Sequence, residues 1–366
     1  MNPEKNLYSL KTLMADSYDG ALITPSSNLF YLTGLNPSNV MERLFLVVVY
    51  PRKKPTLIIP RLFEDEIEKP SIDFDTIYIW DDSDDPYEYL DESLQDLEEN
   101  HGNLLIEDSM SADILMNLKK QIGKYSWHSL NLETYRFRKI KSDKEIRYMK
   151  RAAEIADKTY GALIDEDMIG KTEIEIAARI DYLLKKFGAS GSSFETIVAS
   201  GPNSANPHHS PSKRKLQEGD MVILDFGAEY HGYCSDISRT ISLGDPPEGA
   251  TAVYDLVLEA LSSSKKIVRP GLEVMKVDKK ARDVITEGGY GEYFTHRVGH
   301  GIGLDAHEEP YLTGENEEKI KKGMTFTIEP GIYLKDRFGV RIEDDMWVKD
   351  KKGESLTHSG RELICL

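Results

Sequence analysis

Cysteine is nearly absent: Cys234 and Cys365 are the only two in a chain of 366 residues. So small a complement argues against a disulfide scaffold or a cysteine-rich metal site and fits a reducing cytoplasm, with both thiols expected free and buried. Basic residues are also in deficit, 46 against 63 acidic ones, for a net charge of −17. That balance argues against a basic footprint for nucleic acid or an anionic membrane. No apolar run approaches the ~20 residues of a membrane span. The opening MNPEKNLYSLKTLMADSYDG has neither a continuous apolar stretch nor a small-residue cleavage site of an export signal. The expectation is a cytoplasmic protein without nucleic-acid or membrane partners.

What is present is length and ordered polar interruptions. A chain of 366 residues exceeds one ordinary core and is expected to form two domains. Up to about residue 135, short apolar runs (GALIT, NLFYLTG, LFLVVVYP, PTLIIP, DTIYIW, NLLIED, YSWHSL) read as extended segments of a mixed sheet. Between the later ones, helices are expected in DPYEYLDESLQDLEEN and SADILMNLKKQIG. The acidic tract DDSDDPYEYLDE reads as a solvated turn and helix face. From TYRFRKIKSDKEIRYMKRAAEIADKTYGAL the character changes to one long amphipathic helix, capped by Ser142 or Asp143, with its basic run exposed. The domain boundary falls near Lys139, giving domains 1–138 and 139–366. A helix (KTEIEIAARIDYLLKKFG), a strand (SFETIVAS) and a polar loop (GPNSANPHHSPSKRK) lead to a hairpin. Two more helices, a Gly- and His-rich stretch and a final set of strands follow, an α+β pattern.

The hairpin LDFGAEYHGYCSDISRT carries Asp225 and Asp236 where a strand favours apolar residues. With a turn at Tyr230-His231 the two face each other. With a turn at His231-Gly232 they are diagonal on the same face. Carboxylates that close repel unless a cation or shared proton intervenes, so the alternatives are a metal, exposure at a strand end, or pairing with Arg239. Cys234 is expected on the same face as Asp236.

In HRVGHGIGLDAHEEP the three glycines disfavour a helical zinc site of the HExxH kind. An irregular strand presenting His300 to a metal, and His296 or His307 to a substrate, suits the spacing. The late strands MTFTIEPGIYL and GVRIEDDMWV each embed a glutamate, Glu329 and Glu343, in apolar sequence. Two Asp, one His and two Glu make an oxygen-rich set suited to two cations bridged by carboxylates. It favours Mn2+ or Co2+, with magnesium and zinc left open.

The order and spacing of LDFGAEYHGYCSDISRT, HRVGHGIGLDAHEEP, TIEPGIYL and GVRIED resemble the proline-specific members of the methionine aminopeptidase and creatinase superfamily, the pita-bread metallopeptidases, most nearly prolidases and aminopeptidases P. The resemblance implies a creatinase-like N-terminal domain serving dimerisation and active-site gating, then a pita-bread catalytic domain, in a homodimer. It implies that Asp225 and Asp236 are metal ligands with Asp236 bridging, that His300 and Glu329 hold the second metal, and that Glu343 is the second bridge. A bridging hydroxide would attack the peptide carbonyl while Glu329 shuttles the proton. His208 in NPHHS would bind substrate near the scissile bond, and His307 would polarise the carbonyl. His296 and Arg341 match substrate-contact positions.

The implied activity is cleavage of Xaa-Pro dipeptides, with release of the N-terminal residue from longer peptides as the alternative. An Xaa-Pro bond lacks an N–H, so peptidases that require a strand-like donor there fail on it. One departure bears on this choice. Some prolidases place a carboxylate-holding arginine after their HExP motif, and here HEEP is followed by Tyr311. Arg341 or a neighbouring subunit would have to supply the anchor. A single-zinc hydrolase and a binding protein without catalysis are the remaining alternatives.

Overall fold

The computed structural model describes residues 1–37, 40, 42–67, 70–97 and 101–366. The chain divides into two units, Met1–Phe137 and Arg138–Leu366. In the first, the apolar runs become β1 (Gly20–Ile23), β2 (Leu46–Val49), β3 (Thr56–Pro60), β4 (Thr76–Trp80), β5 (Asn103–Ile106) and β6 (Ser126–Ser129). They form one sheet in the order β4-β3-β2-β1-β5-β6. The central β1–β2 and β2–β3 pairs are antiparallel and the outer pairs parallel, so the sheet is mixed. Helices α1 (Pro3–Met14), α2 (Ser27–Thr33), α3 (Pro86–Leu94), α4 (Ala112–Ile122) and α5 (Leu130–Arg138) accompany it. Leu22, Val48, Ile58 and Leu104 of the sheet pack with Leu90, Ile114 and Leu118 of the helices.

Two expectations for this unit change. NLFYLTG is helical, because the Ser26 side chain caps the Leu29 amide and Gly34 closes the helix at φ 79. The helix expected over 85–100 is α3, started by Asp85; residues 98–100 lie outside the described residues.

The second unit repeats one theme, a helix pair on a sheet. The helices α6 (Asp143–Ile164) and α7 (Glu173–Lys186) cover β8 (Ile197–Ser200), β9 (Met221–Phe226) and β12 (Ile237–Ser242), which pair in the order β12-β9-β8; β7 (Gly191–Ser192), β10 (Ala228–Tyr230) and β11 (Tyr233–Cys234) form a smaller sheet. The helices α8 (Ala250–Ile267) and α9 (Met275–Glu287) cover the later strands: β13 (Gly299–Gly301), β14 (Glu308–Leu312), β15 (Thr325–Ile328), β18 (Asp344–Val348) and β19 (Gly353–Ser355) in one sheet, β16 (Gly331–Leu334) and β17 (Phe338–Arg341) in another. Alternation along β9 sends Val222, Leu224 and Phe226 into the core beneath α6 and α7, and leaves Ile223 and Asp225 for the opposite face. Ile223 packs there with Ala199 and Tyr333.

The long amphipathic helix begins at the cap expected for it, and residues 134–138 before it belong to the separate helix α5. α6 starts anew at Ser142, where Ser142 and Glu145 cap each other reciprocally. The basic run divides: Arg136, Lys144, Arg147 and Lys150 are exposed as expected, while two of its members are not. Arg138 and Lys141 are buried, and both pair with the buried Glu308, Arg138 at 2.8 Å. A buried carboxylate shared by two cations hides them, and its position 170 residues away is what sequence periodicity cannot see.

The hairpin takes the His231-Gly232 turn, not Tyr230-His231. Both residues adopt positive φ, 50 and 78, as a turn matched to strand twist requires. Glu229 therefore faces Cys234, and Asp225 faces Ser238 rather than Asp236. Regular pairing also stops after Cys234 and resumes at Ile237, so alternation does not carry Cys234 to the face of Asp236. The Cys234 thiol is buried and donates to the Leu304 carbonyl at 3.7 Å. Cys365 is exposed, against the expectation of two buried thiols. Arg239 is buried on Asp344 and Glu343 O, and is not a partner of Asp225 or Asp236. Finally, each late strand breaks beside its glutamate: β15 ends before Glu329 and β17 before Ile342-Glu343.

Candidate metal centre

One cavity of about 400 Å³ in the second unit is lined by Asp225, Asp236, His300, Glu329 and Glu343 together with His208, His296, His307 and Arg341. The strands explain this convergence. Asp225 projects from β9, His300 sits in β13, and Asp236, Glu329 and Glu343 occupy the breaks next to β12, β15 and β18, where the backbone can turn a side chain inward. Gly299 and Gly301 flank His300 at close backbone approaches: a Cβ would come 2.1 Å from Thr327 O or 2.3 Å from Glu309 O.

Asp236, His300 and Glu343 form the tightest group, with one ligand atom from each within 4.8 Å of the others. The His300 Nε2 atom lies 3.3 Å from Glu329 and 3.9 Å from Asp236. Its Nδ1 lies 3.1 Å from Gly301 O, which can only accept, so Nδ1 donates there and Nε2 is the nitrogen that would ligate a bound cation. Ser238 donates to Glu343 at 2.7 Å, and the Asp236 amide donates to Asp345 at 2.9 Å.

Burial pushes Asp236 well above the usual carboxylate range, and the charges of Glu343, Asp225, Asp345 and Glu329 push it further. Glu343 is raised well above by burial and by Glu329 and Asp225; Asp225 is raised by burial against the pull of Arg341. For Glu329, burial acts upward too, but hydrogen bonding and charge at His300, with His296 and Arg341, bring it down to about 2. The cavity walls and the neighbouring His300 lower His307 to about 4, so its imidazole is neutral at pH 7. The His300 and His307 rings lie 4.0 Å apart.

Arg341 is largely spent within the protein. It donates to Asp225, to Ser238 Oγ and Tyr333 Oη at 2.9 Å each, and to Pro207 O at 3.1 Å. Tyr333 passes this order on, donating to His296 Nε2 at 2.9 Å, while His296 Nδ1 donates to Arg297 O at 2.7 Å. Both His296 nitrogens are therefore engaged. His209, beside His208, bonds to Glu173 and does not line the cavity.

Residues not singled out from sequence support this set: Tyr333, Ser238, Asp345, Arg297 and Glu173. Buried Glu173 accepts from Ser200, Asn203, His209 and Ser212, tying down the loop that carries His208. Burial would raise its pKa, but bonds from Ser212, Ser200, His209 and Asn203 hold it at about 2. Glu173→Ala is expected to cost about 3 kcal/mol, because buried donors lose a charged acceptor. Since the folded pKa lies below the unfolded ~4.3, this stability is present above pH ~4.5 and is lost as pH falls towards 2. Thermal melts of the two proteins should differ at pH 7 and converge in that acid window, and kcat/KM of the variant should fall as the His208 loop loosens.

Residues 147–350 match metallopeptidase family M24, and residues 7–140 match the creatinase/prolidase N-terminal domain. The chain belongs to metallopeptidase family M24. It is similar to an Xaa-Pro dipeptidase of Pyrococcus horikoshii, 37% identical over 349 residues that cover 95% of each chain. Its fold matches a prolidase from Thermococcus sibiricus with a TM-score of 0.97 at 44% identity, and a dipeptidase from Pyrococcus horikoshii with a TM-score of 0.93 at 45% identity, each over 100% of both chains. The fold is thus a creatinase-type mixed-sheet domain followed by a pita-bread catalytic domain. Among the described residues, no helix is long and apolar enough to cross a membrane.

Family membership implies divalent metal, and the residues fit it. Asp225 Oδ1, Asp236 Oδ1 and Glu343 Oε1 are buried without a hydrogen-bond donor among the described residues. Buried carboxylate oxygens left unpartnered beside the His300 imidazole are what a cation would satisfy.

Proposed function

We propose that this chain hydrolyses Xaa-Pro dipeptides using two divalent ions, Mn2+ or Co2+, held by Asp225, Asp236, His300, Glu329 and Glu343. The observation that carries the reading is that all five line one cavity with His208, His296, His307 and Arg341, and that three of the carboxylates keep an unpartnered oxygen there. The similarity to Xaa-Pro dipeptidases and prolidases over nearly the whole chain supports the substrate class.

Bound ions supply charge neutralisation for the carboxylates, a Lewis acid for the peptide carbonyl and a water of lowered pKa. The chain's own groups supply the rest. Glu329, ionised at neutral pH, accepts a proton at its carboxylate and returns it to the prolyl nitrogen as the bond breaks. His307, neutral and without a hydrogen-bond partner among the described residues, donates to the carbonyl oxygen as it gains charge. His208, exposed within its loop and lining the cavity, contacts substrate near the scissile bond. Tyr333 and Arg341 hold His296 and Asp225 in place, so His296 and Arg341 shape the cavity wall and contact substrate without a free ring nitrogen or more than a residual donor. Phe194, Ile197 and Pro207 give the cavity an apolar side suited to the proline ring.

Residues 1–138 are assigned to dimerisation and gating of a homodimer, and the protein to the cytoplasm, whose reducing conditions suit its free thiols. The test is product analysis of the Mn2+-loaded protein on Ala-Pro and on Ala-Pro-Yaa tripeptides. Faster cleavage of Ala-Pro is expected; equal or faster release of alanine from the tripeptides would make it an Xaa-Pro aminopeptidase instead.

A further inference from the structure

Two guanidinium groups line the cavity, and they differ in what they have left to offer. Arg341 is buried and committed to Asp225, Ser238, Tyr333 and Pro207. Arg297 is half-buried, and its guanidinium has no carboxylate or hydrogen-bond partner among the described residues. It rests instead on an aromatic face: the guanidinium carbon lies 4.3 Å from the centroid of the Tyr311 ring. A cation stacked on a ring in a cavity keeps its in-plane N–H donors for a planar anion.

The position of this pair is fixed. Tyr311 lies directly across the β13–β14 ladder from His300. The Tyr311 amide donates to Glu309 at 3.0 Å, and its carbonyl accepts from Asn316 at 2.8 Å. On the other strand, the Arg297 carbonyl accepts from His296 at 2.7 Å, and the Val298 amide donates to Asp278 at 2.9 Å. The guanidinium is therefore tethered beside the strand pair that carries His300.

In an Xaa-Pro dipeptide only the proline α-carbon separates the scissile nitrogen from the free carboxylate, so the anchor for that carboxylate has to be close to the metal ligands. We infer that Arg297, seated on Tyr311, binds the C-terminal carboxylate of the dipeptide and is the residue that selects dipeptides over longer chains. This rests on the dipeptidase reading above. A longer peptide presents an amide at that point, which leaves the cation unpaired and desolvated.

The test compares Ala-Pro with its C-terminal amide, Ala-Pro-NH2, on the Mn2+-loaded wild type, Arg297→Gln and Arg297→Lys, reading KM and kcat separately. Calorimetric binding of the reduced-amide isostere of Ala-Pro, as acid and as amide, gives a readout independent of turnover. The wild type should prefer the acid by about tenfold or more, as a charge-assisted pair requires. In Arg297→Gln that preference should collapse towards unity, chiefly through KM and Kd, and Arg297→Lys should retain part of it. An acid-to-amide ratio unchanged in Arg297→Gln, or equal losses on both forms, would overturn the anchor while leaving the dipeptidase reading intact. Failure of the wild type to cleave either form would overturn both.

Discussion

Asp236→Asn is expected to remove metal-dependent activity while leaving the metal-free fold at least as stable as wild type. Asp236 belongs to the tight group with His300 and Glu343 and has an unpartnered buried oxygen. Loss of an outer partner of a metal ligand alone costs 10–100-fold, so loss of this ligand should reduce kcat/KM by at least about 100-fold. In the metal-free protein the effect on stability is opposite in sign. Burial and the charges of Glu343, Asp225, Asp345 and Glu329 hold Asp236 well above its ordinary pKa, so its ionised form is a cost to the fold. The amide carries no such cost.

The pH dependence follows from the same direction. Asp225, Asp236 and Glu343 are raised in the folded state, which then binds more protons than the unfolded chain. Their contribution to metal-free stability is least unfavourable below the unfolded pKa values of ~3.9–4.3 and worsens as pH rises from there through the raised folded values. Metal binding displaces these protons, so the metal-induced rise in Tm should be larger at pH 7 than at pH 5. At a free metal concentration of 100 Kd it corresponds to about 2.7 kcal/mol. Asp236→Asn should show little of this rise, read by differential scanning calorimetry with and without Mn2+.

The second large effect is on the chemical step. His307→Ala should lower kcat by about 10²–10³-fold, the scale for removing a donor aimed at developing charge, with KM and metal content little changed. His307 is outside the tight ligand group and bonds to no described residue, so its removal leaves no buried partner stranded. Because its pKa is lowered to about 4, the imidazole stays neutral above pH ~5. Any fall in activity between pH 7 and pH 5.5 should therefore persist in His307→Ala. Loss of metal from this variant would contradict the role.

Much of this site can be read in the sequence because each of its acids interrupts an apolar strand. Asp225 among Val222, Leu224 and Phe226 has no local reason to be there, and strand alternation states which face it must take. Where regular geometry ends, the reading fails. Cys234 was expected beside Asp236 because alternation was carried through Ser235, where pairing lapses. Arg138 and Lys141 read as solvated until Glu308, far along the chain, is found between them. Glu173 looks like an ordinary first-turn acid of α7, and its loop partners are known only from the fold. Arg297 has no local signature in HRVGHG, and its stacking on Tyr311 depends on the β13–β14 register.

The most direct measurement is a calorimetric titration of the metal-free protein with Mn2+ at pH 7, with Ala-Pro hydrolysis followed on the same samples. Two equivalents per chain, with full activity only as the second is bound, is the predicted result. Saturation at one equivalent, or hydrolysis of Ala-Pro without added metal in the presence of chelator, would contradict it.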